Sequence, residues 1–162
     1  MTATTSSPTT AVSWRPGPDA IAKLAARIDV AEGREQKKVT SPLTGEPIGS
    51  VPIGTAEDVD KAMAEARRVQ ARWAARSVKE RAKVLLRYHD LVLDHQDELL
   101  DLIQLENGKA RVWAFEEILD QALTARYYGR LAPRALRPHH RLTALPGLVT
   151  ATEHHVPKGV VG

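Results

Sequence analysis

Ser41-Pro42-Leu43-Thr44-Gly45-Glu46-Pro47-Ile48-Gly49-Ser50-Val51-Pro52-Ile53-Gly54-Thr55-Ala56-Glu57-Asp58-Val59 is the stretch on which the fold turns. Its first half, Pro42 to Pro47, carries turn chemistry. Proline presets φ and glycine reaches left-handed conformations. Ile48 to Ile53 reads as a strand, and Lys38-Val39-Thr40-Ser41 upstream is strand-like. Two strands around a Gly- and Pro-containing loop predict a β-hairpin between Gln36 and Gly54. Pro52 has no N–H for a ladder, so the second strand is confined to an edge or ends there. Thr55-Ala56-Glu57-Asp58 then opens a helix, with a hydroxyl at the N-cap and a carboxylate three residues on.

Upstream, Asp19 is expected to cap a short helix with Ile21, Leu24, Ala25 and Ile28 on one stripe, closed near Gly33. Residues 1–18 are rich in Thr, Ser and Pro and are expected to form a disordered tail. Downstream, Val59, Met63, Ala66, Val69 and Trp73 follow helical spacing. Ser77-Val78-Lys79-Glu80 is a second capping box. Behind it Ala82, Leu85, Leu86, His89, Val92 and Leu93 make an inward stripe. A third long helix runs through Leu99, Leu102, Ile103 and Glu106 and stops at Gly108. A fourth spans about Arg111 to Leu131, with Phe115, Ile118, Leu119, Ala122 and Ala125 inward and Pro133 ending it. Beyond Pro138 the chain turns extended, and Leu148 to Val156 reads as a strand. Val160-Val161-Gly162 opens an apolar segment with nothing after it, which reads as a cut chain.

Composition narrows the function classes. The 162 residues contain no cysteine, which excludes disulfides and any thiol nucleophile within them. Aromatics make up 4%, with Phe115 the only phenylalanine, so the core is aliphatic. Cations number 23 against 20 anions, a net charge of +3. The signs interleave, giving a solvated surface and no nucleic-acid footprint. No apolar run is long enough for a membrane span. Met1 to Trp14 has neither the basic nor the apolar region of a secretory signal, so the expected location is cytoplasmic.

Chemistry-bearing residues are sparse. His139-His140 and His154-His155 are adjacent pairs; neighbours on a strand point to opposite faces, so no metal site is expected. His89 sits in an apolar stripe as a core-edge histidine. Arg134 to Arg141 is a basic run without interleaved aromatics, read as a solvated loop. Leu105-Glu106-Asn107-Gly108-Lys109 is a helix exit, with no Gly-rich strand-to-helix turn for phosphate. Glu116, Glu117 and Asp120 cluster on the fourth long helix, Glu116 and Asp120 sharing a face at i, i+4. Such a pair serves acid–base work inside a cleft and is otherwise a solvated face. The residues alone compose no active site.

Taken in order, several pieces resemble the N-terminal part of the NAD(P)-dependent aldehyde dehydrogenase superfamily. Ser41 to Glu46 resembles the family's "NPATGE" hairpin, and Val51 to Val59 its strand-to-helix entry. Trp73 with Ser77 to Arg81 resembles the "W…ERA" helix pair. Leu105 to Lys109 resembles "LETGK", Arg126-Tyr127-Tyr128 the aromatic end of the next helix, and Pro157 to Gly162 "P-x-GVVG". Glu106 to Arg111, Glu116-Glu117 and Leu145-Pro146-Gly147 look most like the succinic-semialdehyde dehydrogenases of the NADP-type branch.

The resemblance implies an α/β fold, incomplete in this chain. Residues 19–138 would be the hairpin and four-helix layer of a Rossmann-like cofactor domain. Residues 139–157 would hold the first strand of an oligomerisation arm, and residues 158–162 the start of a cofactor-domain strand. The intact protein would oxidise an aldehyde, succinate semialdehyde, with NADP or NAD. The nucleophilic cysteine, the base glutamate and the oxyanion asparagine would all lie beyond Gly162. This chain would then bind no cofactor and be inactive. Glu116 and Asp120 match positions bordering the substrate entrance, and Leu148 to Val156 matches a strand pairing in a homo-oligomer. The alternative is a stand-alone helical interaction or assembly module that uses the exposed strand.

Overall fold

The computed structural model describes residues 16–162; most of the expected N-terminal tail lies outside them. Helix α1 (Pro18–Ala25) begins two residues earlier than a cap at Asp19 requires. Gly17 is the N-cap and Pro18 sits in the first turn, where its missing N–H costs nothing. Asp19 falls inside that turn, favourably placed toward the helix dipole.

The hairpin forms as expected. Strand β1 (Gln36–Thr40) pairs antiparallel with β2 (Pro47–Pro52). The register sets Gln36 opposite Pro52 and Val39 opposite Gly49, with an irregularity between Val39 and Thr40. Gly45 turns the loop with φ 73°. Helix α1 lies on β2, and a Cβ on Gly49 would stand 3.1 Å from the Ile21 side chain.

Three helices make the main body. Helix α3 (Val78–Asp94) starts at a reciprocal capping box, in which the Glu80 N–H donates to Ser77 Oγ at 3.2 Å and the Ser77 N–H to Glu80 Oε2 at 2.9 Å. Helix α4 (Gln96–Asn107) stops at Gly108, φ 69°. Helix α5 (Arg111–Ala135) crosses α3 and α4. Val92, Leu100, Ala114, Ile118 and Ala122 form the core, with Leu99 and Ile103 packed on it.

Close crossing explains where the expected stripes differ. The buried ridge of α5 is Ala114, Ile118, Ala122, Ala125 and Gly129. A Cβ on Gly129 would come within 2.9 Å of Leu86 Cδ2. Small residues let the helices approach, and the bulky Phe115 and Leu119, expected inward, are turned out and exposed. Leu85 and Leu93 of α3 are likewise exposed, leaving Ala82, Leu86, His89 and Val92 inward. Helix α5 also runs two residues past Pro133. In the last turn a proline removes one bond, to the Gly129 carbonyl, while the Leu136 N–H still reaches the Ala132 carbonyl at 3.0 Å.

Helix α2 (Ala56–Ala74) has its capping box at Thr55 and Asp58 but no buried residue. Val59, Val69 and Trp73 share a face, as their spacing predicts, and that face is uncovered among the described residues.

The strand expected over Leu148 to Val156 shrinks to β4 (Ala151–Glu153), paired antiparallel with β3 (His139–Arg141). Leu148 and Val149 are drawn into a turn, both N–H groups donating to the Leu145 carbonyl, so they leave the ladder. The described residues thus contain two separate two-stranded sheets.

Candidate functional site

The site residues taken from the sequence lie on α5, which the α4–α5 corner holds in place. Arg111 bonds Asp101 at 2.5 Å and Gln104 at 2.9 Å. Lys109 pairs with Glu117. The carboxylate cluster therefore divides: Glu117 is spent on a corner ion pair, and Glu116 and Asp120 remain.

Both are exposed, one turn apart, and neither enters an ion pair or hydrogen bond among the described residues. Asp120 edges an open groove of ≈ 400 Å³ between α3 and α5. Leu85, Tyr88, Gln121, Thr124, Ala125 and Tyr128 line the rest. The Tyr88 hydroxyl donates to Gln121 Oε1 at 2.9 Å across it. Tyr127 and Tyr128 meet edge to face, centroids 5.2 Å apart. In an open groove the carboxylates offer charge and hydrogen-bond acceptors; water competes with any proton transfer. Sequence reasoning missed Tyr88 and Gln121, because the α3–α5 crossing that joins them follows from packing, not spacing.

Carboxylates displaced from their ordinary titration range serve structure. Asp58 is held well below it, first by the Arg34 guanidinium at 2.8 Å and then by the Thr55 N–H. Glu80 is lowered by the Ser77 hydroxyl and N–H, and Glu153 by Arg141 at 2.6 Å. His89 is largely buried at the core edge, Nδ1 3.0 Å from Asp90. His139 stands opposite Glu153, and His140 Nδ1 lies 3.2 Å from the Thr152 hydroxyl. Among the described residues no group of three His, Cys, Asp or Glu is placed to hold a metal ion. None of the described helices is long and apolar enough to cross a membrane.

The same residues do not fit a dinucleotide. Such a site uses a glycine-rich turn from a parallel strand into an open helix N-terminus. The described strands are antiparallel pairs, and the N-termini of α2 and α3 are occupied by the chain's own Asp58 and Glu80.

Comparison with known proteins places this arrangement. Residues 30–162 match the Aldehyde dehydrogenase family. A Mycobacterium ulcerans protein provisionally named succinate-semialdehyde dehydrogenase (NADP+) 2 is 45% identical over 144 residues, 89% of this chain and 28% of that protein. Malonate-semialdehyde dehydrogenase 1 of Geobacillus thermodenitrificans is 35% identical over 127 residues, 76% of this chain and 25% of its own length. The crystal structure of an aldehyde dehydrogenase from Brucella melitensis biovar abortus superposes with TM-score 0.67 at 29% identity, over 74% of this chain and 24% of that one. The chain thus spans about a quarter of the length of the relatives it matches, and it carries part of their α/β fold.

Proposed function

This chain belongs to the aldehyde dehydrogenase family, and from that premise we propose that it forms the N-terminal scaffold of an enzyme that oxidises succinate semialdehyde to the acid with NADP. The observation that carries the substrate is the 45% identity to the mycobacterial protein of that name, against 35% to the malonate-semialdehyde enzyme.

In this reading the helical layer and hairpin of residues 19–138 support a cofactor domain whose dinucleotide site lies in other residues. Residues 139–157 contribute to an oligomerisation arm through the β3–β4 hairpin and its exposed neighbours Leu148 and Val156. Glu116 and Asp120 border the path of the aldehyde. Their charge opposes a substrate that is itself a carboxylate, so they act on selection and not on bond making. The thiol route that the resemblance implies has no nucleophile among these 162 residues, which contain no cysteine.

The 162-residue chain is therefore expected to be inert. Purified and mixed with NADP+ and succinate semialdehyde, it should give no NADPH above the rate without protein. Protein-dependent turnover that survives further purification overturns the reading.

The second reading is a stand-alone assembly module. It draws on the exposed apolar side chains Leu142, Leu148 and Val156 around β3 and β4. Strand addition to β4 by a partner would favour it.

A further inference from the structure

Charge on α5 is sorted along its length. Glu116, Glu117 and Asp120 lie in its first half, and no acidic residue follows until Glu153. Residues 121–152 hold Arg126, Arg130, Arg134, Arg137 and Arg141, with His139 and His140. The interleaving of signs that describes the chain as a whole breaks down here. Arg126, Arg130 and Arg134 recur at i, i+4 and i+8, so they share one face of the helix, about 6 Å apart along its axis. All three are exposed, as is Arg137 just past the helix end. None of these four side chains has an ion pair or hydrogen bond among the described residues, whereas Arg141 is bonded to Glu153.

Two ordinary roles do not account for the stripe. A cation in the last turn complements the helix dipole, which covers Arg134 but not Arg126 and Arg130 further back. Packing more chain on this face would strand guanidinium groups away from water unless anions met them. Its occupant is therefore anionic. An aromatic ring also sits among the cations. Tyr127 is 59% exposed, and with Arg126, Arg130, Leu123 and Leu131 it lines an open depression of ≈ 450 Å³. Tyr128 braces that ring edge to face. Arg134 to Arg141, read alone, is a basic run without aromatics; the helix carries it back to a ring and an apolar hollow. A planar guanidinium matches a phosphate bidentately. An exposed ring beside a hollow gives an unpaired base a face to stack on.

We propose that Arg126, Arg130, Arg134 and Arg137 track the phosphates of a single-stranded nucleic acid while Tyr127 stacks on one of its bases. Such binding reads charge and stacking, not sequence. It does not rest on the dehydrogenase reading, which draws on Glu116 and Asp120.

Fluorescence anisotropy of the 162-residue chain with a labelled thymidine oligonucleotide of about 12 nucleotides tests the proposal. Four phosphate contacts should give a slope of log K against log salt of about −3. Arg126→Gln with Arg130→Gln should reduce that slope to about −1.5. Tyr127→Ala should weaken binding at least about fivefold and leave the slope unchanged, since stacking releases no counterions. Arg67→Gln, at an exposed arginine of α2, should change neither. Far-UV circular dichroism should be the same for every variant, because each substituted side chain is exposed. Absence of binding at about 50 mM salt overturns the proposal. So does a slope that the double arginine variant leaves intact, or a Tyr127→Ala chain that binds like the parent. Tighter binding to anionic phospholipid vesicles than to the oligonucleotide overturns it too, by assigning the stripe to a membrane surface. Dehydrogenase assays read none of these outcomes, so the two proposals fail separately.

Discussion

Ser41 shows how one small polar residue joins two distant parts of the chain. It is 1% exposed. Its hydroxyl donates to the Leu105 carbonyl at 2.7 Å, satisfying an end-of-helix acceptor of α4, and accepts from the Leu43 N–H. Its backbone closes the hairpin loop through Glu46 and Gly45. Nearby, Gly108 gives α4 its left-handed stop, and a Cβ there would stand 3.2 Å from Pro42. Replacing Ser41 with alanine leaves a buried carbonyl unpaired and should cost about 1–3 kcal/mol in urea unfolding. An unchanged midpoint would remove Ser41 from the joint.

Among the described residues, Asp58 is one of four carboxylates, with Glu65, Glu80 and Glu153, whose lowered pKa ties the fold to pH. Its folded pKa lies below its ordinary value of 3.8, and that of Glu80 below 4.5. A lowered carboxylate stabilises the fold above its unfolded pKa, and the contribution drains as pH falls toward the folded value. The thermal midpoint should therefore hold from neutral pH to about pH 5 and then decline. Asp58→Asn with Glu80→Gln should make that decline shallower, because two of the four carboxylates that take up protons on unfolding are gone, with Glu65 and Glu153 remaining. An acid slope identical to the parent's would place the linkage elsewhere.

At the scale of elements, helix starts and stops were legible because they are local chemistry. Ser77 with Glu80, Thr55 with Asp58 and Gly108 each act within one turn, and each stands where its spacing puts it. The hairpin was legible for the same reason. What spacing does not carry is which side of a helical stripe meets a neighbour. On α5 the contact chose alanines and Gly129, because the α3 crossing is close, and it left Phe115 and Leu119 outside. Strand β3 was unforeseen, since His139-His140-Arg141 has no alternation to read and exists only through its pairing with β4. Of the candidate site, the shared exposure of Glu116 and Asp120 followed from their i, i+4 spacing. The diversion of Glu117 to Lys109 and the meeting of Tyr88 with Gln121 needed the tertiary crossing.

The whole molecule carries more exposed apolar surface than its own core uses. The α2 face with Val59, Val69 and Trp73, the outer face of α5, and Leu142, Leu148 and Val156 are all uncovered among the described residues. In a family whose matched members are about four times as long, such faces are where the rest of the fold would pack. Zero cysteine, which first excludes thiol chemistry, then fits a segment that supplies scaffold to chemistry carried by other residues.

A hybrid protein tests that claim most directly. Residues 30–162 of this chain replace the matching segment of the Mycobacterium ulcerans relative, and NADP-dependent oxidation of succinate semialdehyde is followed by absorbance. Within the hybrid, Asp120→Ala should lower KM for this anionic aldehyde by about two- to fivefold with little change in kcat, as expected for a charge that acts on binding alone. The decisive reading is the hybrid itself. The account predicts a kcat within about tenfold of the parent relative, because the segment supports but does not perform the reaction. A hybrid that folds to the parent's size and secondary structure yet oxidises no aldehyde would contradict it.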